Sequence, residues 1–151
     1  MVYELLRDAV RRHLDETLPI IGQLAEINIM NKPVPGGREI GEVALHLIRS
    51  LEYYMRGIVE AFWEPLPYTL ETHNTSEAII KLAESVFKRV SEYMYFVRLM
   101  NLKEKIDTFK RPATLAEIIL EMLEHSIHHR GQITVYYRLL GITPNTISYI
   151  I

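Results

Sequence analysis

The chain has 151 residues, a length that predicts one domain over 1–151, large enough to bury a core without covalent staples. It has no cysteine, which excludes a disulfide framework and any thiolate metal site, so a metal would need His, Asp or Glu ligands. The net charge of −2 is spread as interleaved acids and bases, without the basic stripe that nucleic acid selects.

No apolar run approaches the ~18 residues of a membrane span. The start Met1-Val2-Tyr3-Glu4-Leu5-Leu6-Arg7-Asp8 carries charges where a signal peptide needs an apolar stretch. The expectation is a cytoplasmic protein with neither a nucleic-acid nor a membrane partner.

The first helix is predicted from Val2 to Ile27. Its apolar stripe is Leu6, Val10, Leu14, Leu18, Ile21, Leu24 and Ala25, at steps of three and four. Pro19 should kink it or weaken a turn. Asn31-Lys32-Pro33-Val34-Pro35-Gly36-Gly37 is a loop. The second helix is predicted from Ile40 to Phe62, with Ile40, Val43, Ala44, Leu47, Leu51, Tyr54, Met55 and Ile58 inward.

A loop over 63–74 follows. At ~3.3 Å per residue it is long enough to return along the bundle, so it permits parallel second and third helices without requiring them. The third helix is predicted from Thr75 to Leu99, capped by Asn74 with Glu77. Its stripe is Ile79, Leu82, Val86, Val90, Tyr93 and Val97. The fourth runs from Leu115 to Leu140, with Thr114 and Glu117 forming a capping box and Gly141 and Pro144 a stop signal. Residues 142–151 form an apolar tail, and strand signals are almost absent. Helices of ~35 Å at 1.5 Å per residue make an all-α four-helix bundle the economical architecture.

The chemistry concentrates in Glu124-His125-Ser126-Ile127-His128-His129-Arg130-Gly131-Gln132. Inward positions of this helix read Ile118, Met122, His125, His129, Gln132 and Tyr136. His125 and His129, one turn apart on one face, can converge on one cation. An unpartnered buried ring costs roughly 1–3 kcal/mol, so two in adjacent turns call for partners. A metal supplies them, and hydrogen bonds to a carbonyl or tyrosine are the plainer alternative. His46 lies one position off the second helix's stripe, either as a boundary histidine or as a third ligand. Three protein ligands with open positions is a catalytic rather than a structural pattern.

The flanking residues carry paired readings. Glu42, one turn before His46, is the candidate catalytic base, and Glu121, one turn before His125, is a weaker one; a solvated helix face is the alternative for both. Glu39 reads as a favourable first-turn charge. His128 points to the rim or solvent, His13 is a satisfied boundary residue and His73 a solvated loop residue. Arg130 is either a surface charge or a partner for a carboxylate or an anionic substrate. Gly131 inside a helix suggests close packing. Position 126 is Ser, which excludes the H-E-x-x-H helix of zinc proteases, and no histidine has a glutamate three residues before it, which excludes the Glu-x-x-His pairs of di-iron bundles.

Two segments carry a family resemblance. Ile40-Gly41-Glu42-Val43-Ala44-Leu45-His46 follows a Pro-Gly loop, and His125-Ser126-Ile127-His128-His129-Arg130-Gly131-Gln132 precedes a Tyr-rich turn, Leu139-Leu140-Gly141 and Pro144. In these the chain resembles the DinB/YfiT-like proteins over nearly its whole length. The resemblance implies an up-down-down-up four-helix bundle, often a homodimer. It also implies one divalent metal, zinc or nickel foremost and iron or manganese in other members, on three histidines. By position these are His46, His125 and His129. Some relatives transfer small thiols to electrophiles or isomerise substrates with thiol help, and others are described as hydrolases. The expected function is therefore a metal-dependent enzyme that activates a small thiol or water for transfer or hydrolysis, with a cleft near 63–74. A non-catalytic metal- or ligand-binding bundle is the alternative.

Overall fold

The computed structural model describes residues 1–107 and 110–151. Its helices are α1 (Val2–Gly22), α2 (Ile40–Glu60), α3 (Ser76–Val97) and α4 (Leu115–Leu139). Pro19 lies inside α1, which continues to Gly22 and gives way to a 3-10 turn at Gln23–Glu26, so the α-helix ends before the expected Ile27. Thr75, one residue beyond the expected Asn74, caps α3 by accepting from the Ala78 amide. Thr114 and Glu117 form the predicted reciprocal capping box of α4. A two-residue antiparallel ladder, β1 (Lys105–Ile106) against β2 (Ala113–Thr114), closes the α3–α4 connection, where no strand was expected. Two residues carry too little alternation to register as a sequence pattern.

Side-chain contacts fix the helix directions. Tyr3 Oη donates to the Met94 carbonyl at 3.1 Å, so the start of α1 meets the end of α3. Tyr137 Oη donates to the Ile20 carbonyl at 2.6 Å while Ser126 meets His13, so α1 and α4 run parallel. Glu52 pairs with Arg89 and Glu60 with Tyr93, so α2 and α3 run parallel. His46 meets His129 and Tyr54 meets His125, so α2 and α4 are antiparallel. The path is up-down-down-up. Both α1 and α2 pack on α3 and α4, which places α1 diagonally opposite α2.

Parallel α2 and α3 require a crossover, and residues 61–75 provide it by retracing α2. Trp63 lies flat on Gly57, where an added Cβ would sit 2.2 Å from its ring. Tyr68 Oη donates to Glu52 at 2.8 Å, and Arg49 donates to the Tyr68 carbonyl at 2.7 Å. Leu70 reaches Gly41. Covered by α3, α4 and this loop, α2 buries Leu45 and Ile48 as well as its predicted stripe, of which only Tyr54 stays half-exposed. At about 1.5–3 kcal/mol per buried branched aliphatic side chain, α2 is the apolar centre of the fold. Ile20 joins the buried side of α1, while Ala25, in the tighter 3-10 turn that follows it, is exposed. Among the described residues no helix is long and apolar enough to cross a membrane.

Candidate metal centre

The antiparallel contact of α2 with α4 brings His46 opposite two consecutive turns of α4. His46 Nε2 lies 3.3 Å from His125 Nε2, and His129 Nε2 lies 3.3 Å from the same atom. The three nitrogens all fall within 4.8 Å of one another. Tetrahedral zinc with bonds of about 2.0–2.1 Å sets its ligand nitrogens about 3.3 Å apart, so the spacing fits one ion shared by three rings.

The electrostatics favour the neutral, ligating form. Burial holds all three imidazoles below their ordinary value, and neighbouring positive charge adds to it. His46 is lowered to about 4, by burial first and then by His129, His125, Arg38 and Arg49. His129 Nδ1 lies 3.0 Å from Gln132 Oε1 and donates to it, which leaves Nε2 as the lone pair. Gln132 in turn donates to Tyr136 Oη at 3.3 Å. His125 Nδ1 is buried and has no hydrogen-bond partner. An unmet polar atom costs about 1–3 kcal/mol, and native structures hold few of them.

The surroundings are asymmetric. Tyr54 stands 6.3 Å from His125, ring to ring, and Tyr53 continues the aromatic wall to Trp63 at 5.5 Å. Arg38, at the foot of α2, is close enough to place its charge on both His46 and His129. Glu42 does not stand free, because both its oxygens lie on Arg49, at 2.5 and 3.4 Å.

Several predicted site residues sit elsewhere. His128 is exposed, as anticipated, with its ring 5.0 Å from His129, and Glu121 is exposed. Glu39 sits at the start of α2 and pairs with Lys32. His73 stays in the loop, partly solvated, with its ring 5.6 Å from that of Tyr68 and bonded to Thr72. Gly131 is exposed with nothing within 4 Å of an added Cβ, so close packing does not explain it.

The largest departure is on α4. His125, His129 and Gln132 are half-buried, not inward, and the core positions are Ser126, Arg130 and Ile133. Packing on α1 as well as α2 turns α4 so that the histidines lie on its flank. Arg130, 5 % exposed, donates from Nη1 to His13 Nδ1 at 3.1 Å, to Thr17 at 3.2 Å and to Glu16 at 3.4 Å. With Nδ1 accepting, His13 donates from Nε2 to Ser126 Oγ at 2.6 Å. That tautomer has no lone pair to take the serine proton, so this buried pair is not an activated nucleophile. His13 is fully satisfied but lies deeper than a boundary residue, and burial with the Arg130 charge lowers it to about 3.

Comparison with known proteins agrees with the fold. The sequence model of the DinB family matches residues 8–150. A DinB-like protein of Bacillus subtilis, YjoA, superposes with a TM-score of 0.78 at 20% identity, covering 97% of this chain and 99% of that one. A DinB-like protein of Bacillus cereus gives 0.77 at 20% identity, covering 96% and 97%. Bacillus subtilis YfiT, described as a probable metal-dependent hydrolase with an unusual four-helix bundle topology, gives 0.63 at 20% identity over 91% and 89%. No curated protein matches the sequence.

Proposed function

The chain belongs to the DinB family, and on that premise we propose that it is a metal-dependent enzyme whose His46, His125 and His129 hold one divalent ion. The observation that carries the reading is the 3.3 Å spacing of ring nitrogens drawn from two helices. An all-imidazole donor set suits zinc or nickel and also admits iron or manganese. Such an ion, when bound, keeps its full charge and acidifies a water or small thiol in its open positions toward neutrality.

The protein's own residues do the rest. Burial keeps the three rings unprotonated, so protons do not compete for the ligand nitrogens near neutral pH. Gln132 sets the tautomer and orientation of His129. Arg38 offers a positive charge to an anionic group of the substrate, and Tyr54 an apolar wall. Glu42 enters as the proton acceptor; Arg49 holds both its oxygens, so this role requires that pair to open.

The description of YfiT as a hydrolase supports activation of water. Transfer of a small thiol to an electrophile uses the same centre. The test is metal analysis of the wild type beside His46→Ala, His125→Ala and His129→Ala. Ester hydrolysis and thiol conjugation are then assayed on metal-loaded and stripped protein. Stoichiometric metal lost in each variant, with turnover in one assay that follows it, is the expected result. Metal retained by all three variants refutes the ligand set, and metal without turnover reduces the protein to a binding bundle.

A further inference from the structure

A cavity of about 390 Å³ lies between α1, α4 and the tail. Its volume is in the range of small-molecule sites. Leu123, Ile127 and Arg130 line it from α4, a face opposite the one that carries His125, His129 and Gln132 at 100° per residue. Ala9, Arg12, His13 and Glu16 line it from α1. The tail closes it and is itself pinned, because Gln23 donates to the Thr143 carbonyl and accepts from the Asn145 amide, both at 2.9 Å.

The floor of this cavity is an incompletely matched charge. All three hydrogen bonds of Arg130 run from Nη1, which leaves Nε and Nη2 able to donate. Neither of those nitrogens is sealed from solvent without a partner. A guanidinium is complemented by a carboxylate that takes two parallel bonds. Glu16 meets only one nitrogen, at 3.4 Å. Arg12, one turn before Glu16, adds a second guanidinium to the lining. Above this floor the walls are Ala9, Leu123, Ile127 and Ile147.

We propose that this cavity binds a small carboxylate bearing an apolar chain, of the medium-chain fatty-acid type, with Arg130 and Arg12 on the carboxylate and the aliphatic walls on the chain. The site is separate from the histidine centre and does not depend on it.

The test is calorimetric titration of the full chain with octanoate, after chelator treatment and again with zinc. Octanol and acetate serve as the neutral and chainless controls. One octanoate per chain should bind with or without zinc, and octanol at least about tenfold more weakly, as for loss of a charge-assisted bidentate contact. Arg12→Ala should weaken octanoate binding about threefold, and Glu16→Gln should tighten it by a similar factor. Ile127→Trp should fill the cavity and abolish binding; where that variant does not fold, the two charge variants decide. Octanol binding as well as octanoate overturns the proposal. So does binding that requires zinc, which would place octanoate at the histidines, or unchanged affinity in either charge variant. Failure of zinc to bind would sink the metal reading and leave this one standing.

Discussion

Zinc should stabilise this protein through His125 in a way that chelator abolishes. A ligand at a hundred times its dissociation constant stabilises the native state by about 2.7 kcal/mol. In a domain of this size each kcal/mol moves the melting temperature by about 2–4 °C, so saturating zinc should raise it by roughly 5–11 °C. His125→Ala leaves two donors, and most of that rise should vanish. Without metal the same substitution should cost little. The ring is half-buried, and its removal also removes the unpartnered Nδ1, whose burial is worth about 1–3 kcal/mol against the fold. The two effects oppose one another, and the chelated proteins should melt within a few degrees of each other. Scanning fluorimetry of both proteins in chelator and in zinc measures all four values. His128→Ala is the control, because that ring is exposed and 5.0 Å from His129 but outside the cluster, so it should keep the full zinc shift. Equal zinc shifts in wild type and His125→Ala, or equal losses with and without zinc, would refute the shared centre.

Three further predictions concern the scaffold. Metal-free protein should lose stability as the pH falls from about 6.5 toward 3. Unfolded His13 takes up a proton near 6.5, whereas the folded ring resists until about 3, so the stability is complete above 6.5. This gap is worth at most about 4–5 kcal/mol, and denaturant titrations should show His13→Gln flattening the slope between pH 6.5 and 4; an unchanged slope assigns the acid sensitivity elsewhere. Gly57→Ala puts a Cβ 2.2 Å from the Trp63 ring, so the crossover must lift, at a cost of about 1–3 kcal/mol in urea unfolding. A neutral result would show that Trp63 does not rest on α2. Gly131→Ala, by contrast, meets open space and should stabilise by about 0.5–1 kcal/mol through helix propensity alone. A loss instead would mean that a second protein surface packs against α4 there.

Local rules are legible where the signal is contained in neighbouring residues. The Thr114–Glu117 box and the stop at Gly141 are short-range chemistry, and the structure holds them as written. The apolar stripe of α2 was also legible, because a helix covered by two others and a loop tolerates few polar positions. Ends decided by competition between adjacent candidates were not legible. Asn74 and Thr75 both cap well as residue types, and the structure uses Thr75. The small ladder at β1 and β2 depends on a partner that adjacent residues do not specify.

The histidine cluster and the buried arginine show why only half of the chemistry of α4 is legible in its sequence. A seam of alternating three and four steps assumes that a helix faces one axis, and α4 faces two neighbours at an angle. One flank meets α2, where His125 and His129 find His46. The other meets α1, where Ser126 and Arg130 find His13, Thr17 and Glu16. Polar residues on the true core line look like surface positions in the sequence, because their partners lie more than a hundred residues away. Their burial is possible only because every member of the set brings a partner, and deleting one leaves the others exposed to the full cost of desolvation. Such a network adds fixed donor–acceptor pairs between α1 and α4 to the aliphatic packing around them. The buried arginine and the histidines therefore occupy the two flanks of α4, one bonded to α1 and the other facing α2.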